Sequence, residues 1–447
     1  MNRMLSNIFK GDKVVWIVLM IFCIISLVEV FSASSNLSYK SNNFFLPMLK
    51  HGVTLFIGVV AAALIVNIPC RYFKLATPIL YIASLVLLVL VLATGESING
   101  ANRVIDLGGL TFQPSEIAKG SVVLAVAQIL AATQTEKGAH KKAFNFILWI
   151  TLPITFLIMI ENLSTAVLLF GVVLIMMFIG RVPMSQLGKL IGVLALCGLL
   201  GFAFIMAAGH SQRETAAEDA LAQVSAAQEG AVAPKKDSGI MAKMFHRADT
   251  WKTRIEKFLD DTPVAAADYD LDKDAQVAHA NIAIVSSNYV GRGPGNSVER
   301  DFLAQAFSDF IFAIIIEETG LEGAFFVVFL YVILLFRASR IASRCDNNFP
   351  AFLVMGLTLL LVVQASFNML VAVGIVPVTG QPLPLISKGG TSTILNCVYI
   401  GVILSVSRTA KRHRPATEPV AKPVEQSVVE PVAAPAIEPI ATKVVAN

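Results

Sequence analysis

The chain has 447 residues, 55% of them hydrophobic and 15% charged, with a mean hydropathy of +0.71. Soluble proteins average about 25% charged residues, so this composition excludes a disordered polymer, a secreted disulfide scaffold and an ordinary soluble enzyme. Thirty-five Lys and Arg against 31 Asp and Glu leave +4, too small a surplus to argue for nucleic acid as a partner.

A helix crossing a hydrocarbon core of roughly 30 Å needs about 20 mostly apolar residues. Such runs fall at 14–34, 50–69, 77–94, 115–133, 146–161, 163–180, 190–208, 309–336, 350–373 and 389–407. They predict an all-α polytopic membrane protein of ten transmembrane helices, the fifth short and interrupted by Pro153. The pattern divides the chain into an N-terminal segment 1–13, a membrane domain 14–408 and a tail 409–447. A loop of about one hundred residues, 209–308, lies between the seventh and eighth crossings.

Orientation follows from the Lys/Arg bias of the short loops. Seventeen cations, from Arg3 and Lys10 through Arg71, Lys74, Lys141, Lys142 and Arg337 to Arg414, fall on one side of a ten-helix topology. The opposite short loops hold four: Lys40, Lys50, Arg103 and Lys388. Both termini are expected in the cytoplasm and the long loop outside. The first apolar run is long for a signal peptide, and the charge pattern requires that it stay.

Within the long loop, Met244, Phe245, Trp251, Ile255, Phe258 and Leu259 recur at helical spacing among Lys and Arg, the signature of a helix in the membrane interface or of one packed on the rest of the loop. Its length marks the loop as functional or disordered. The Pro-, Val-, Ala- and Glu-rich tail has no aromatic residue and reads as a disordered tether. Cys23, Cys197 and Cys397 lie inside apolar runs and Cys70 and Cys345 at the ends of others, so disulfides and zinc are not expected.

Polar groups inside a membrane are expensive and mark function. Four outward-facing places carry them. In the first, residues 99–119, Pro114 suits the first turn of the fourth helix and places Glu116 and Lys119 at i,i+3; a mutually neutralising pair is the competing reading. Residues 161–165 form a polar turn. The third combines a Gly-rich stretch, 291–296, weakly similar to a phosphate-cradling loop, with Asp309 at the mouth of the eighth helix, where from the residues alone a favourable helix-dipole charge is narrowly the better explanation. The fourth, 377–392, is a Pro/Gly-rich segment entering the tenth helix; irregular backbone at that depth must be buried in protein or line a cavity. Together they supply Arg103, Lys119 and Lys388, the carboxylates Asp106, Glu116 and Asp309, and flexible glycines on one face. That suits an anionic, partly lipidic ligand.

Four stretches resemble the SEDS family (shape, elongation, division and sporulation), typified by FtsW and RodA. They are 99–119 (N-G-A-x-R-x-I-D-L-G-G-x-x-x-Q-P-S-E-x-x-K), 309–320 (D-F-I-F-A-x-x-x-E-E-x-G), 364–368, and 377–390 (P-x-x-G-x-x-L-P-L-I-S-x-G-G). The resemblance implies a peptidoglycan glycosyltransferase of the bacterial inner membrane, most like the division member. It would polymerise lipid II at the outer face, with a class B penicillin-binding protein and other division proteins as partners. It makes Asp309 the essential residue and points to Arg103, Asp106, Glu116, Lys119, Ser387 and Lys388 as cavity-lining, substrate-binding positions. The sequence departs from the family pattern at Val104, at Glu161-Asn162-Leu163-Ser164-Thr165, at Ala304-Gln305-Ala306-Phe307-Ser308 and at Lys388, where the family commonly has Tyr.

The implied chemistry needs one carboxylate. An α-linked pyrophosphate donor and a β-linked polymer call for a single inverting displacement, and pyrophosphate leaves as a stabilised anion. Asp309 is the candidate base for the acceptor 4-hydroxyl; Arg103, Lys119 or Lys388, with a divalent Mg or Mn ion as candidate cofactor, would hold the leaving group. A lipid II flippase is the main alternative. It would want charges deep in several helices, whereas here the polar groups cluster at the outer ends, Glu29 in the first helix being one exception. A non-catalytic division scaffold is the third.

Overall fold

The computed structural model describes residues 10–33, 46–94, 96–98, 101–107, 110–208, 252, 275–303 and 306–410. The side chains of residues 94–111 and 204–208 fall outside that description, as do the amphipathic stretch 241–259, apart from Lys252, and the tail from 411 onward.

In chain order the helices are α1 (Lys13–Ser32), α2 (Leu46–Ile65), α3 (Cys70–Thr94), α4 (Pro114–Ala132), α5 (Lys141–Glu161), α6 (Leu163–Ile179) and α7 (Met184–Ala208). After the long loop come α8 (Ala275–Ser286), α9 (Ile311–Ala342), α10 (Asn348–Ala372) and α11 (Thr391–Thr409). Among the described residues nine of these are long and apolar enough to cross a membrane, and α6 is apolar but only 17 residues long. The short apolar helix is therefore α6 and not α5. The fifth run is not interrupted: α5 passes straight through Pro153, and the hydroxyl of Tyr81 donates to the carbonyl of Ile150 beside it (2.9 Å). Likewise α3 starts seven residues before its apolar run and carries Pro78 inside it, with Thr77 Oγ1 bonded back to the carbonyl of Phe73 at 2.9 Å.

The centre of the bundle is α10, which packs on α4, α9, α6 and α11, while α2 lies along α11 and α3 along α4. Small residues let α2 and α11 approach closely. A β-carbon on Gly58 would meet Cys397 Sγ at 2.8 Å, and one on Gly401 would meet the backbone of Ala62 at 2.9 Å. Such contacts drive helix association where lipid removes the hydrophobic incentive. The core between α1 and α9 is filled by Phe22 and Tyr331, with ring centroids 4.6 Å apart.

One end of the bundle gathers the chain's early and late turns. Asp12 caps α1 through Val14 N (2.9 Å), pairs with Arg337 at the end of α9, and donates its own N–H to Ser407 Oγ (2.9 Å) on α11. Lys10 reaches Asn67 Oδ1 at 3.1 Å. At the other end, the stretch between α3 and α4 closes into a three-stranded antiparallel sheet not expected from the sequence: β1 (Glu96–Ile98), β2 (Ala101–Leu107) and β3 (Leu110–Phe112). β2 lies against α3, α4 and α5, and β3 against α11.

Candidate active site

Asp309 lies two residues before α9, in a turn that begins at Ala306, and is half-buried. Ser308 Oγ donates to its Oδ1 at 3.0 Å. The segment 377–390 forms a shelf beside this turn. Asn368, on α10, donates through Nδ2 to the carbonyls of Asp309 and Gln381, both at 2.8 Å. Gln381 Nε2 donates to Thr165 Oγ1 (2.7 Å) at the start of α6. Ser387 Oγ donates to the carbonyl of Ser308 at 2.6 Å and accepts from Leu383 N at 2.8 Å. Lys388 N donates to the carbonyl of Phe307 at 3.0 Å. The shelf is fixed from below by Tyr331, which donates to the carbonyl of Pro384, and by Ser26, which donates to that of Ile386 at 2.6 Å and sits 2.7 Å from His51 Nε2.

Ser387 is thus a structural bolt, while the Lys388 side chain rises from the shelf. Its ammonium lies 5.0 Å from the Phe307 ring centroid, in cation–π range. Burial, and then the Lys50 ammonium on α2, hold its pKa below the ordinary lysine value.

Glu116 and Lys119 are fully buried and bonded at 2.7 Å, the i,i+3 pair expected from the sequence. Lys119 also donates to Gln364 Oε1 at 2.7 Å, and Gln364 Nε2 donates to the carbonyl of Pro382 at 3.1 Å. Tyr399 on α11 donates to the carbonyl of Glu116 at 2.5 Å. The pair is therefore joined through Gln364 to the same shelf that holds Asp309. Glu116 Oε2 has no hydrogen-bond partner among the described residues. Arg103 and Asp106 belong to β2, and their side chains lie outside the described part of the structure.

The Gly-rich stretch has a different task. At Gly320, α9 kinks with φ +69°, and the carbonyls of Glu317 and Glu318 accept the N–H groups of Arg292 (3.0 Å) and Gly293 (2.8 Å). The two side chains continue the pattern. Glu318 accepts from Gly295 N (2.9 Å), and Glu317 from Val298 N (3.0 Å) and Ser297 Oγ (2.5 Å). Glu318 also accepts from Ser32 at the end of α1, and Arg300 donates to the same hydroxyl at 3.0 Å. A β-carbon on Gly320 would meet the carbonyl oxygen of Tyr289 at 2.1 Å, so nothing larger fits at that left-handed position. The backbone donors of 291–296 that could cradle a phosphate are spent on the chain's own carbonyls, those of Asn288, Gly293, Glu317 and Glu318, and, through Gly295, on the Glu318 carboxylate.

Among the described residues no group of three or more His, Cys, Asp or Glu side chains is placed to hold a metal ion. Asn368, Gln381 and Thr165 lie in stretches the sequence singles out and His51 and Ser26 in none, and no spacing betrays the partner of any of them, which lies on another helix or on the shelf.

Comparison with known proteins agrees with this arrangement. The FtsW/RodA/SpoVE family, described as a cell cycle protein, matches residues 12–412. A protein of Halomonas elongata named probable peptidoglycan glycosyltransferase FtsW is 29% identical over 406 residues, covering 89% of this chain and 90% of that one. A solved structure described as the coordination of polymerisation and crosslinking by a peptidoglycan synthase complex superposes with a TM-score of 0.65 at 24% identity, over 89% of this chain and 98% of that one. Thermus thermophilus rod shape determining protein RodA superposes at 0.60 with 23% identity, over 90% and 98%. The chain belongs to the FtsW/RodA/SpoVE family.

Proposed function

From that membership we propose that the protein is a peptidoglycan glycosyltransferase that polymerises lipid II at the outer face of the bacterial inner membrane, for septal synthesis, together with a class B penicillin-binding protein and other division proteins. In this reading the ten apolar helices all cross, both termini are cytoplasmic, and the sheet, the 377–390 shelf and Asp309 face outward. The observation that carries the proposal is the seating of Asp309: a carboxylate on a turn whose backbone is bolted to α10 and to the shelf, with Lys388 rising from that shelf.

Asp309 takes the proton of the acceptor GlcNAc 4-hydroxyl as its oxygen attacks C1 of the donor sugar. The bond from C1 to the pyrophosphate oxygen breaks, the configuration inverts, and undecaprenyl pyrophosphate departs with the electron pair. Lys388, with Arg103 and Asp106 on β2 lining the substrate path, neutralises the developing charge. Lys119 is already paired with Glu116 and buried, so its part is to keep α4 and Gln364 in register under the shelf. A Mg or Mn ion, for which the described residues group no three ligating side chains, would be held by a carboxylate together with substrate phosphate oxygens, as Mg commonly is, and would add charge neutralisation at the leaving group.

Lipid II polymerisation by the purified protein with its cognate class B penicillin-binding protein tests this. Asp309→Asn is expected to lower glycan synthesis about 10²–10⁴-fold or more, the range for loss of a general base, with unfolding temperature unchanged. Full polymerisation by a folded Asp309→Asn protein would remove the base assignment. No glycan from either protein, with lipid II crossing vesicle membranes instead, would establish the flippase.

A further inference from the structure

A cavity of about 510 Å³ opens at the end of the bundle opposite Asp309, between the start of α3, the end of α4 and the start of α10. That volume is within the usual range for small-molecule sites, about 300–1,000 Å³. Its walls carry two cations, Arg71 and Lys74, and the amides Gln128, Asn347 and Asn348. Among the described residues neither cation is ion-paired. Arg71 donates only to the hydroxyl of its neighbour Tyr72 (3.3 Å), with its guanidinium 5.0 Å from that ring. Asn347 stands at the N-cap of α10 without making a capping bond through its side chain. Arg337, at the same end, is by contrast paired with Asp12.

The surroundings choose the kind of anion. One turn beyond Arg71, Leu75 is 70% exposed, and Ile79 and Ile82 continue the stripe at 69% and 62%. On a membrane-spanning helix that stripe faces acyl chains, so the cations stand where hydrocarbon gives way to headgroups. Lys and Arg near helix ends reach for that boundary, and basic pockets between helices on the cytoplasmic side suit anionic headgroups. We propose that this cavity binds the phosphate headgroup of an anionic phospholipid, with the acyl chains running along the exposed face of α3. The Lys/Arg bias of the loops assigns it to the inner leaflet.

Native mass spectrometry of the full-length protein in detergent, titrated with dioleoyl-phosphatidylglycerol or dioleoyl-phosphatidylcholine, tests the proposal. Wild type is expected to prefer phosphatidylglycerol. R71A/K74A should weaken that binding roughly 30-fold, from two cations at the value usual for headgroup attraction. It should leave phosphatidylcholine binding intact, which also reports a folded protein. The charge-keeping R71K/K74R should retain the preference. K141A/K142A, which removes two exposed cations at the same end, should change nothing. Equal loss in K141A/K142A would mean a diffuse basic surface. Displacement of the lipid by inorganic phosphate would mean a soluble anion. Absence of any preference in wild type would mean no site; each of these three outcomes overturns the proposal.

Discussion

The helices α4 and α7 are both apolar enough to cross a membrane, yet 61% of the spanning window of α4 is buried and only 6% of that of α7. What separates them is polarity, not hydrophobicity. α4 carries Glu116, Lys119, Ser121 and Gln128, whereas α7 has no hydrogen-bonding side chain other than Cys197 after Lys189. In lipid a polar side chain has no water to turn to, so it must face protein or a wet cavity. Polar residues on a spanning helix therefore point to the interior, the reverse of the rule in soluble proteins. Apolar length counts the crossings, and the few polar residues say which helices form the centre.

The strongest way to break that comparison is Lys119→Met. It leaves Glu116 buried without its cation, and loss of about 3–5 kcal/mol is expected, read as a collapse in the yield of monodisperse protein and in unfolding temperature. The double change Glu116→Leu with Lys119→Met should recover most of the loss, since no orphan charge remains. If Lys119→Met proved harmless, α4 would owe its central place to packing alone. A smaller effect is expected at the kink. Gly320→Ala forces a side chain into a left-handed backbone against Tyr289, and about 1–3 kcal/mol should be lost, visible as a lower unfolding temperature.

A pH profile sharpens the picture at the shelf. Burial and Lys50 hold Lys388 below the ordinary lysine pKa, so its charged form, the one that would hold pyrophosphate, is lost as pH rises through that lowered value. Lys50→Gln removes a like charge, raises the Lys388 pKa and should move the alkaline fall in polymerisation to higher pH. The smallest effect belongs to the periphery. Leu196→Ala on α7, at a side chain 57% exposed, should change stability by no more than about 0.5 kcal/mol. A large effect there would show that α7 packs against something within the bilayer.

The helices and the Glu116–Lys119 pair were legible in the sequence because both depend on local rules: apolar length, and the i,i+3 spacing that follows Pro114. Helix ends were less so. α3 and α5 begin several residues early, with Arg71 and Lys141 in their first turns, since long cationic side chains let a helix start in the headgroup layer. Asp309 stands out through its motif, and Asn368 and Ser387 lie in matching stretches, but the contacts by which they seat it are not legible in the sequence. Gln381 and Thr165 meet across 216 positions, and nothing in either neighbourhood signals the other. The 291–296 stretch is a weak signal for a physical reason. Glycines that free backbone N–H groups look alike whether they meet a phosphate or, as here, backbone carbonyls and the Glu318 carboxylate.

That last arrangement bears on how the protein can vary. The chain's return from the long loop is bolted to α9 and α1 by Glu317, Glu318, Ser32 and Arg300, upstream of the turn that bears Asp309. These contacts give residues 292–300 an attachment of their own to α9 and α1. Loop-closure entropy grows slowly, about 0.6 kcal/mol for each doubling of length, so with that attachment made, a change of chain length ahead of α8 is expected to leave the carboxylate in its place.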